Sequence, residues 1–278
     1  MALAWSLPGR TLDCEERTLV MGVLNVTPDS FSDGGRFLQQ DDAVKQAARM
    51  AEDGADILDV GGESTRPGSD PVSADEEVER VVPVIERIAG ETGLPVSIDT
   101  RKAQVAEAAL DAGATIVNDV AAGRDPLMFE VVREAGAAMV LMHMKGEPKT
   151  MQEDPVYEDV VREVHDFLAG RVEAAVAAGI DRDRLAIDPG LGFAKTTAHS
   201  LTVMKETAAL LDLGLPLLVG PSRKSFIGEV LGTEVGERLE GTLGAVCFMV
   251  ARGAHIVRVH DVRETVRAVR VVDAILRA

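Results

Sequence analysis

Thiols, asparagines and long apolar runs are scarce in this chain. Of its 278 residues two are cysteine, Cys14 and Cys247. The first lies among charges, in Asp13-Cys14-Glu15-Glu16, and the second in the apolar run Ala245-Val246-Cys247-Phe248. One such pair makes no disulfide framework, and no second thiol stands at metal-ligand spacing, so a cystine-stapled module and a thiolate metal site are excluded. No apolar stretch approaches the roughly 18 uncharged residues that a membrane span needs. Met1-Ala2-Leu3-Ala4-Trp5 lacks the basic start and apolar core of a secretory signal, so a cytoplasmic protein without a membrane partner is expected. Basic residues are outnumbered: 29 Lys and Arg face 46 Asp and Glu, a formal net charge of −17. That balance argues against nucleic acid as a partner, because nonspecific binding needs an accessible basic surface.

What is present is a globular composition, 46% apolar, in short β-branched runs that alternate with helical patterns. The runs are Thr18–Val26, Ala55–Gly61, Pro95–Thr100, Ala114–Val120, Ala137–His143, Leu185–Pro189, Pro216–Gly220 and Ala254–His260. Between them, stretches such as Asp41–Asp53, Lys102–Gly113, Pro126–Gly136 and Asp159–Gly179 carry apolar residues at three- and four-residue spacing. Several end at a glycine (Gly54, Gly113, Gly136, Gly253) just before the next run, where a helix commonly terminates in a left-handed residue. Eight strand–helix units predict an α/β chain folded as a (β/α)₈ TIM barrel, a single domain over residues 1–278. Residues 1–17 would form an N-terminal extension, with Leu7–Arg17 as a hairpin plugging the barrel bottom. A doubly wound open sheet is disfavoured: the first run enters Asn25-Val26-Thr27-Pro28-Asp29 rather than a Gly-x-Gly-x-x-Gly turn.

Barrel active sites gather where strands end, and here every run ends on a polar group. The eight ends carry Asn25; Glu63-Ser64-Thr65-Arg66 beyond Gly61; Asp99; Asn118-Asp119; His143; Asp188; Ser222-Arg223-Lys224-Ser225; and Arg258-Val259-His260-Asp261. A lone Asp or Ser at such a place is often only a helix cap. Eight together are not so easily dismissed, and the only two asparagines of the chain, Asn25 and Asn118, are both among them. Asp99, Asn118, Asp188 and Lys224 suit a planar heterocycle. A carboxylate accepts two adjacent N–H donors, as on a 2-amino-4-oxo pyrimidine edge, and the lysine reaches a ring carbonyl. Arg258 and His260, two residues apart and so on one side of a strand, suit an anion. Ser222 is read as a helix N-cap beside them. Asn25 offers an oxygen to Mg²⁺, which takes few protein ligands and completes its shell with water and phosphate. His143 is expected to pack beneath a loop. Two Gly-, Ser- and Pro-rich loops, Thr27–Gly35 and Glu63–Ser69, are expected to act as lids. No Ser–His–Asp order or metalloprotease motif is present.

Two long motifs, Met21-Gly22-Val23-Leu24-Asn25-Val26-Thr27-Pro28-Asp29-Ser30-Phe31-Ser32-Asp33-Gly34-Gly35 and Asp59-Val60-Gly61-Gly62-Glu63-Ser64-Thr65-Arg66-Pro67-Gly68, closely resemble the signatures of the dihydropteroate synthases. Ser97-Ile98-Asp99-Thr100, Asn118-Asp119-Val120, Met142-His143-Met144, Asp188-Pro189-Gly190, Ser222-Arg223-Lys224-Ser225 and Arg258-Val259-His260-Asp261-Val262 follow in that family's order, so the resemblance runs from Thr18 to the C-terminus. It implies a homodimeric, Mg²⁺-using barrel that joins a dihydropterin methyl diphosphate to 4-aminobenzoate in folate synthesis, the site at which sulfonamides compete. By residue, it implies that Asp99, Asn118, Asp188 and Lys224 hold the pterin. Asn25, Arg66, Arg258 and His260 would serve the diphosphate, with Asn25 also on the metal. Phe31, Thr65, Arg66, Pro67, Phe193 and Ser225 would shape the 4-aminobenzoate site, and Asp99, Lys224, Arg258 and His260 would carry catalysis. One departure is Ala194, where the family usually has glycine. A pterin-dependent methyltransferase and a non-catalytic pterin-binding paralogue are the alternatives.

Overall fold

The computed structural model describes residues 3–27, 36–64, 72–146 and 150–278, apart from the side chains of residues 36–39. Two short antiparallel strands come first, β1 (Ala4–Leu7) and β2 (Arg10–Asp13). Eight parallel strands follow: β3 (Leu19–Asn25), β4 (Ile57–Gly61), β5 (Val96–Asp99), β6 (Ile116–Asp119), β7 (Ala138–Met142), β8 (Leu185–Asp188), β9 (Leu218–Val219) and β10 (Ile256–Val259). Their spatial order is β8-β7-β6-β5-β4-β3-β10-β9. A parallel bridge between Ile187 and Leu217 joins the two ends, with the Ile187 N–H donating to the Pro216 carbonyl at 3.0 Å. Around the ring lie α1 (Arg36–Glu52), α2 (Ala74–Glu91), α3 (Ala103–Asp111), α4 (Met128–Ala135), α5 (Val160–Ala177), α6 (Thr197–Lys205), the short α7 (Ser225–Leu231), α8 (Leu239–Ala251) and α9 (Val262–Leu276). The expected (β/α)₈ barrel and its strand positions are thus observed, to within two residues at most ends. Gly136 closes α4 in the left-handed conformation, φ 57°, the role assigned to the glycines that end helical stretches.

Side-chain alternation divides each strand between two cores. Val20, Leu58, Val60, Ile98, Val117, Leu141, Ile187 and Val257 face outward and pack with the helices. Met21, Ile57, Ile116, Ala138, Val140, Ala186, Leu218 and Ile256 belong to a second apolar cluster inside the ring. Trp5 completes that inner cluster. It is fully buried, and its indole N–H donates to the Arg184 carbonyl at 2.9 Å. The N-terminal hairpin therefore begins at Ala4 rather than at Leu7. The reason is that Trp5 supplies the largest apolar wedge of the barrel bottom, with Leu7 and Cys14 beside it in the same cluster. No helix among the described residues is long and apolar enough to cross a membrane.

Candidate active site

Toward the C-terminal ends of the strands the inward positions turn polar. Asn25, Gly61 and Asp99 lie in register across β3, β4 and β5, and Asp99 pairs with Asn118 on β6. One layer below stands Asp59, fully buried in the middle of Ile57–Gly61. Arg258 of β10 reaches across to both carboxylates, its Nε to Asp59 Oδ2 and a terminal nitrogen to Asp99 Oδ2, each at 2.6 Å. The Asn118 amide donates to the same Asp59 oxygen at 3.2 Å. One guanidinium is thus shared by two carboxylates. The second oxygens, Asp59 Oδ1 and Asp99 Oδ1, are buried without a hydrogen-bond partner. Buried acceptors left open in this way are costly in a finished core, and here they face the barrel interior. Burial pushes the Asp99 carboxyl up to about 7; the Arg258 charge opposes the rise and the neighbouring Asp59 adds to it.

Across the mouth, Asp188 ends β8 and is buried. One of its oxygens accepts the Gly190 N–H at 2.7 Å. Burial raises it to about 6, against that hydrogen bond and the charges of Lys224, Arg258 and Lys195. Glycine is required at residue 190, where φ is +65° and a Cβ would collide with the His143 carbonyl oxygen. Phe193 follows in the same loop. The Lys224 ammonium sits 3.8 Å above the centre of its ring.

The anion cluster is arranged differently from the sequence expectation. Ser222 is not a helix N-cap: α7 starts at Ser225, with Lys224 in the cap position. The Ser222 hydroxyl instead accepts the His260 backbone N–H at 3.2 Å and lies 3.0 Å from His260 Nδ1. The hydroxyl keeps one hydrogen and a second lone pair for Nδ1, so either tautomer of the neutral ring makes this contact. Burial, together with the Arg258 and Arg223 charges, lowers His260 to about 3. The imidazole is neutral near pH 7 and offers an N–H rather than a charge. Within the protein, Arg258 turns to the carboxylates and His260 to Ser222. His143 packs as expected: it is buried edge-on to Phe167, with ring centroids 4.9 Å apart.

Ser225 is the first residue of α7 and is exposed. Phe31, Thr65, Arg66 and Pro67, and most of both expected lid loops, lie outside the described residues. Ala194 adopts φ +47°, the left-handed region that explains a glycine preference at this position.

Two residues of the site escape the sequence reading. Asp59 lies within a family motif, yet it carries a signal of its own: it is the one polar residue inside Ile-Leu-Asp-Val-Gly, and it has the inward parity of Ile57 and Gly61. Lys195 carries no such signal. It follows the β8 loop as an ordinary basic residue, but is buried to 3% exposure.

A family model described as pterin binding enzyme matches residues 21–260. The dihydropteroate synthase of Escherichia coli strain K12 is 48% identical over 259 residues, 93% of this chain and 92% of that protein. Dihydropteroate synthase of Xanthomonas albilineans, solved with 4-aminobenzoic acid, superposes with a TM-score of 0.94 at 46% identity, covering 100% of both chains. The same enzyme in complex with 7,8-dihydropteroate gives a TM-score of 0.90 at 44% identity, covering 99% of each. The ring of inward polar residues and these likenesses agree, and the chain belongs to the pterin-binding enzyme family, among its dihydropteroate synthases.

Proposed function

We propose that this barrel mouth binds a (7,8-dihydropterin-6-yl)methyl diphosphate and 4-aminobenzoate and joins them, releasing diphosphate and forming 7,8-dihydropteroate. The observation that carries the assignment is the buried Asp59–Arg258–Asp99–Asn118 network with its two open carboxylate oxygens. They are acceptors waiting for N–H donors, which a pterin ring supplies. Asp188 takes the ring's N–H and amino group in a fork, Asn118 and Asp99 meet the other edge, and Lys224 contacts the ring carbonyl. A ligand lacking any of these groups leaves a buried partner unpaired, which is the source of discrimination.

Departure of diphosphate from the methylene carbon leaves positive charge on the pterin. The Asp99 and Asp188 carboxylates stabilise that charge when ionised. Arg258 supplies positive charge toward the leaving group and the neutral His260 ring supplies a hydrogen bond. The neutral arylamine then attacks the carbon, and its lost proton passes to diphosphate or water. A strong general base is not needed. Phe193 shapes the arylamine side together with Ser225, Phe31, Thr65, Arg66 and Pro67.

Mg²⁺ fits the site in one respect. Gly61 lacks a Cβ, and Asn25 Oδ1 and Asp99 Oδ2 each lie 3.8 Å from the place a Cβ would take, so two oxygens border the bare face of this glycine. No group of three or more His, Cys, Asp or Glu among the described residues is placed to hold a metal. Asn25 would therefore hold it with diphosphate and water oxygens, the pattern preferred by this ion. When bound it would neutralise the leaving group. A homodimer is also proposed. An apolar groove of about 350 Å³ between α6, α7 and α8, lined by Leu201, Met204, Phe226, Val230, Leu231 and Phe248, suits a second copy. Sedimentation should give a dimer that Phe248→Asp weakens.

The direct test is diphosphate release from both substrates, with and without Mg²⁺. Release requiring all three, with dihydropteroate formed, supports the assignment. Binding of pterin without turnover points to a non-catalytic paralogue, and methyl transfer from a reduced folate points to a methyltransferase.

A further inference from the structure

The loop from β8 to α6 presents a run of carbonyl oxygens to side chains, and one of them, that of Gly190, also accepts the Phe193 backbone N–H at 3.1 Å. Lys195 Nζ lies 3.1 Å from the Gly190 carbonyl, 3.2 Å from the Phe193 carbonyl and 2.8 Å from His143 Nδ1. An ammonium has three N–H donors, and here each has one acceptor. The next carbonyls are taken from the segment between β7 and α5: Gln152 donates to Gly192 at 2.5 Å and the Tyr157 hydroxyl to Ala194 at 2.8 Å. Ser200 of α6 accepts the Gly192 N–H at 3.3 Å. The backbone so held carries Phe193 under the Lys224 ammonium. It also carries Gly192, where a Cβ would lie 3.3 Å from Lys224 Cδ.

We infer that Lys195 is a positioning residue for the arylamine site, whose buried ammonium, with Tyr157 and Gln152, clamps the β8–α6 loop so that Phe193 and Lys224 are held against each other before substrate arrives. His143 takes part as a neutral acceptor: burial and the Lys195 charge hold its ring far below the ordinary imidazole range. The other charged groups facing Nζ are Lys145 beyond β7, Asp188 at the end of β8, and Lys224. Burial brings the Lys195 ammonium down to about 7 against the pull of Asp188. The three acceptors all favour the protonated form, because only the ammonium can donate to each at once. The loop also stores strain, with Ala194 at φ +47°, and a strained backbone persists only where its surroundings over-determine it. The clamp is that over-determination. It differs from the pterin contacts in kind, since Lys195 hydrogen-bonds backbone carbonyls and His143 and acts on Asp188 through its charge, without a hydrogen bond to it.

The inference rests on the assignment of Phe193 to the arylamine site, and the experiment separates the two. Steady-state kinetics with both substrates, and pterin binding by calorimetry, are measured for Lys195→Met, Tyr157→Phe and Phe193→Ala. Lys195→Met should raise the 4-aminobenzoate KM about tenfold or more, with kcat within about threefold and pterin Kd within about twofold. Tyr157→Phe, which removes one hydroxyl, should raise the same KM by about two- to threefold and carries the test if Lys195→Met does not fold. Lys195→Cys alkylated with bromoethylamine rebuilds an ammonium at nearly the same reach and should recover most of the loss; wild type alkylated in parallel reports any effect at Cys247. An unchanged arylamine KM in folded Lys195→Met or in Tyr157→Phe, or a pterin Kd that rises in step with it, overturns the clamp. An unchanged KM in Phe193→Ala overturns the arylamine assignment instead.

Discussion

The two ends of the barrel interior are built by the same strands on the same period-two pattern, and they are opposites. At the N-terminal end, Met21, Ile57, Ile116, Ala138, Ala186, Leu218 and Ile256 meet the indole of Trp5 in an apolar plug. At the other end, one or two inward positions along, stand Asn25, Asp59, Asp99, Asn118, Asp188 and Arg258. The first end stabilises the fold. The second keeps ionised and unpaired groups out of water, a cost that a chain under selection for stability alone would not retain. The strands thus separate stability from chemistry along their own length.

The largest effect should come from making the polar end resemble the apolar one. A triple variant Asp59→Leu, Asp99→Leu, Arg258→Met should lose about three orders of magnitude or more in turnover while its melting temperature stays equal or rises, because apolar replacement of a whole buried ion network is commonly neutral or stabilising. Asp59→Leu alone should instead cost about 3 kcal/mol, since it leaves the buried Arg258 Nε–H and the Asn118 amide without their acceptor while Asp99 still pairs the guanidinium. Calorimetry and diphosphate release on the same samples check both, and a triple variant less stable than the single one would break the comparison.

Next in size is damage to the plug. Trp5→Ala should destabilise by about 3–5 kcal/mol by leaving a cavity, with both KM values unchanged in the folded fraction. A shift in either KM would mean that the ends are coupled.

The third effect links stability to pH. Burial raises Asp188 from 3.8 to about 6, so between those values the folded chain holds a proton that the unfolded chain has shed. This group's contribution is greatest below about pH 4 and is lost as pH rises through about 6. Asp188→Asn keeps an acceptor for the Gly190 N–H and never ionises. Its melting temperature should exceed wild type by about 2–4 °C at pH 8, with the gap closing near pH 4. Pterin affinity should fall about tenfold or more as a bidentate acceptor is lost.

The smallest effect is at Ala194. Glycine there relieves the positive φ, worth at most about 1 kcal/mol, and should leave turnover nearly unchanged. A large loss of activity would show that the methyl group itself contacts substrate.

Much of this was legible in the chain before any coordinate. Asp99, Asn118 and Arg258 could be placed at strand ends by counting; Arg258 meets Asp99 directly, and Asn118 joins them through Asp59. Asp59 was equally countable, because its parity matches Ile57 and Gly61, but a motif that names it among its neighbours hides that parity. Lys195 was not countable at all. Its ammonium finds acceptors from Gly190, Phe193 and His143, and their convergence depends on how β7 and β8 lie side by side. Ser222 and His260 went the same way: a serine before a helix reads as a cap, and the distance to a histidine 38 residues on decides otherwise.

The sequence by itself determined the eight strand–helix units, the polar rim and the family, because these rest on period, spacing and local turn chemistry that each segment carries alone. Only the tertiary structure decided which charges share a partner, which histidine is neutral, and that Trp5 seals the bottom. Those outcomes depend on burial and on neighbours brought from distant strands, and a linear pattern contains neither the dielectric around a side chain nor the distance across a barrel.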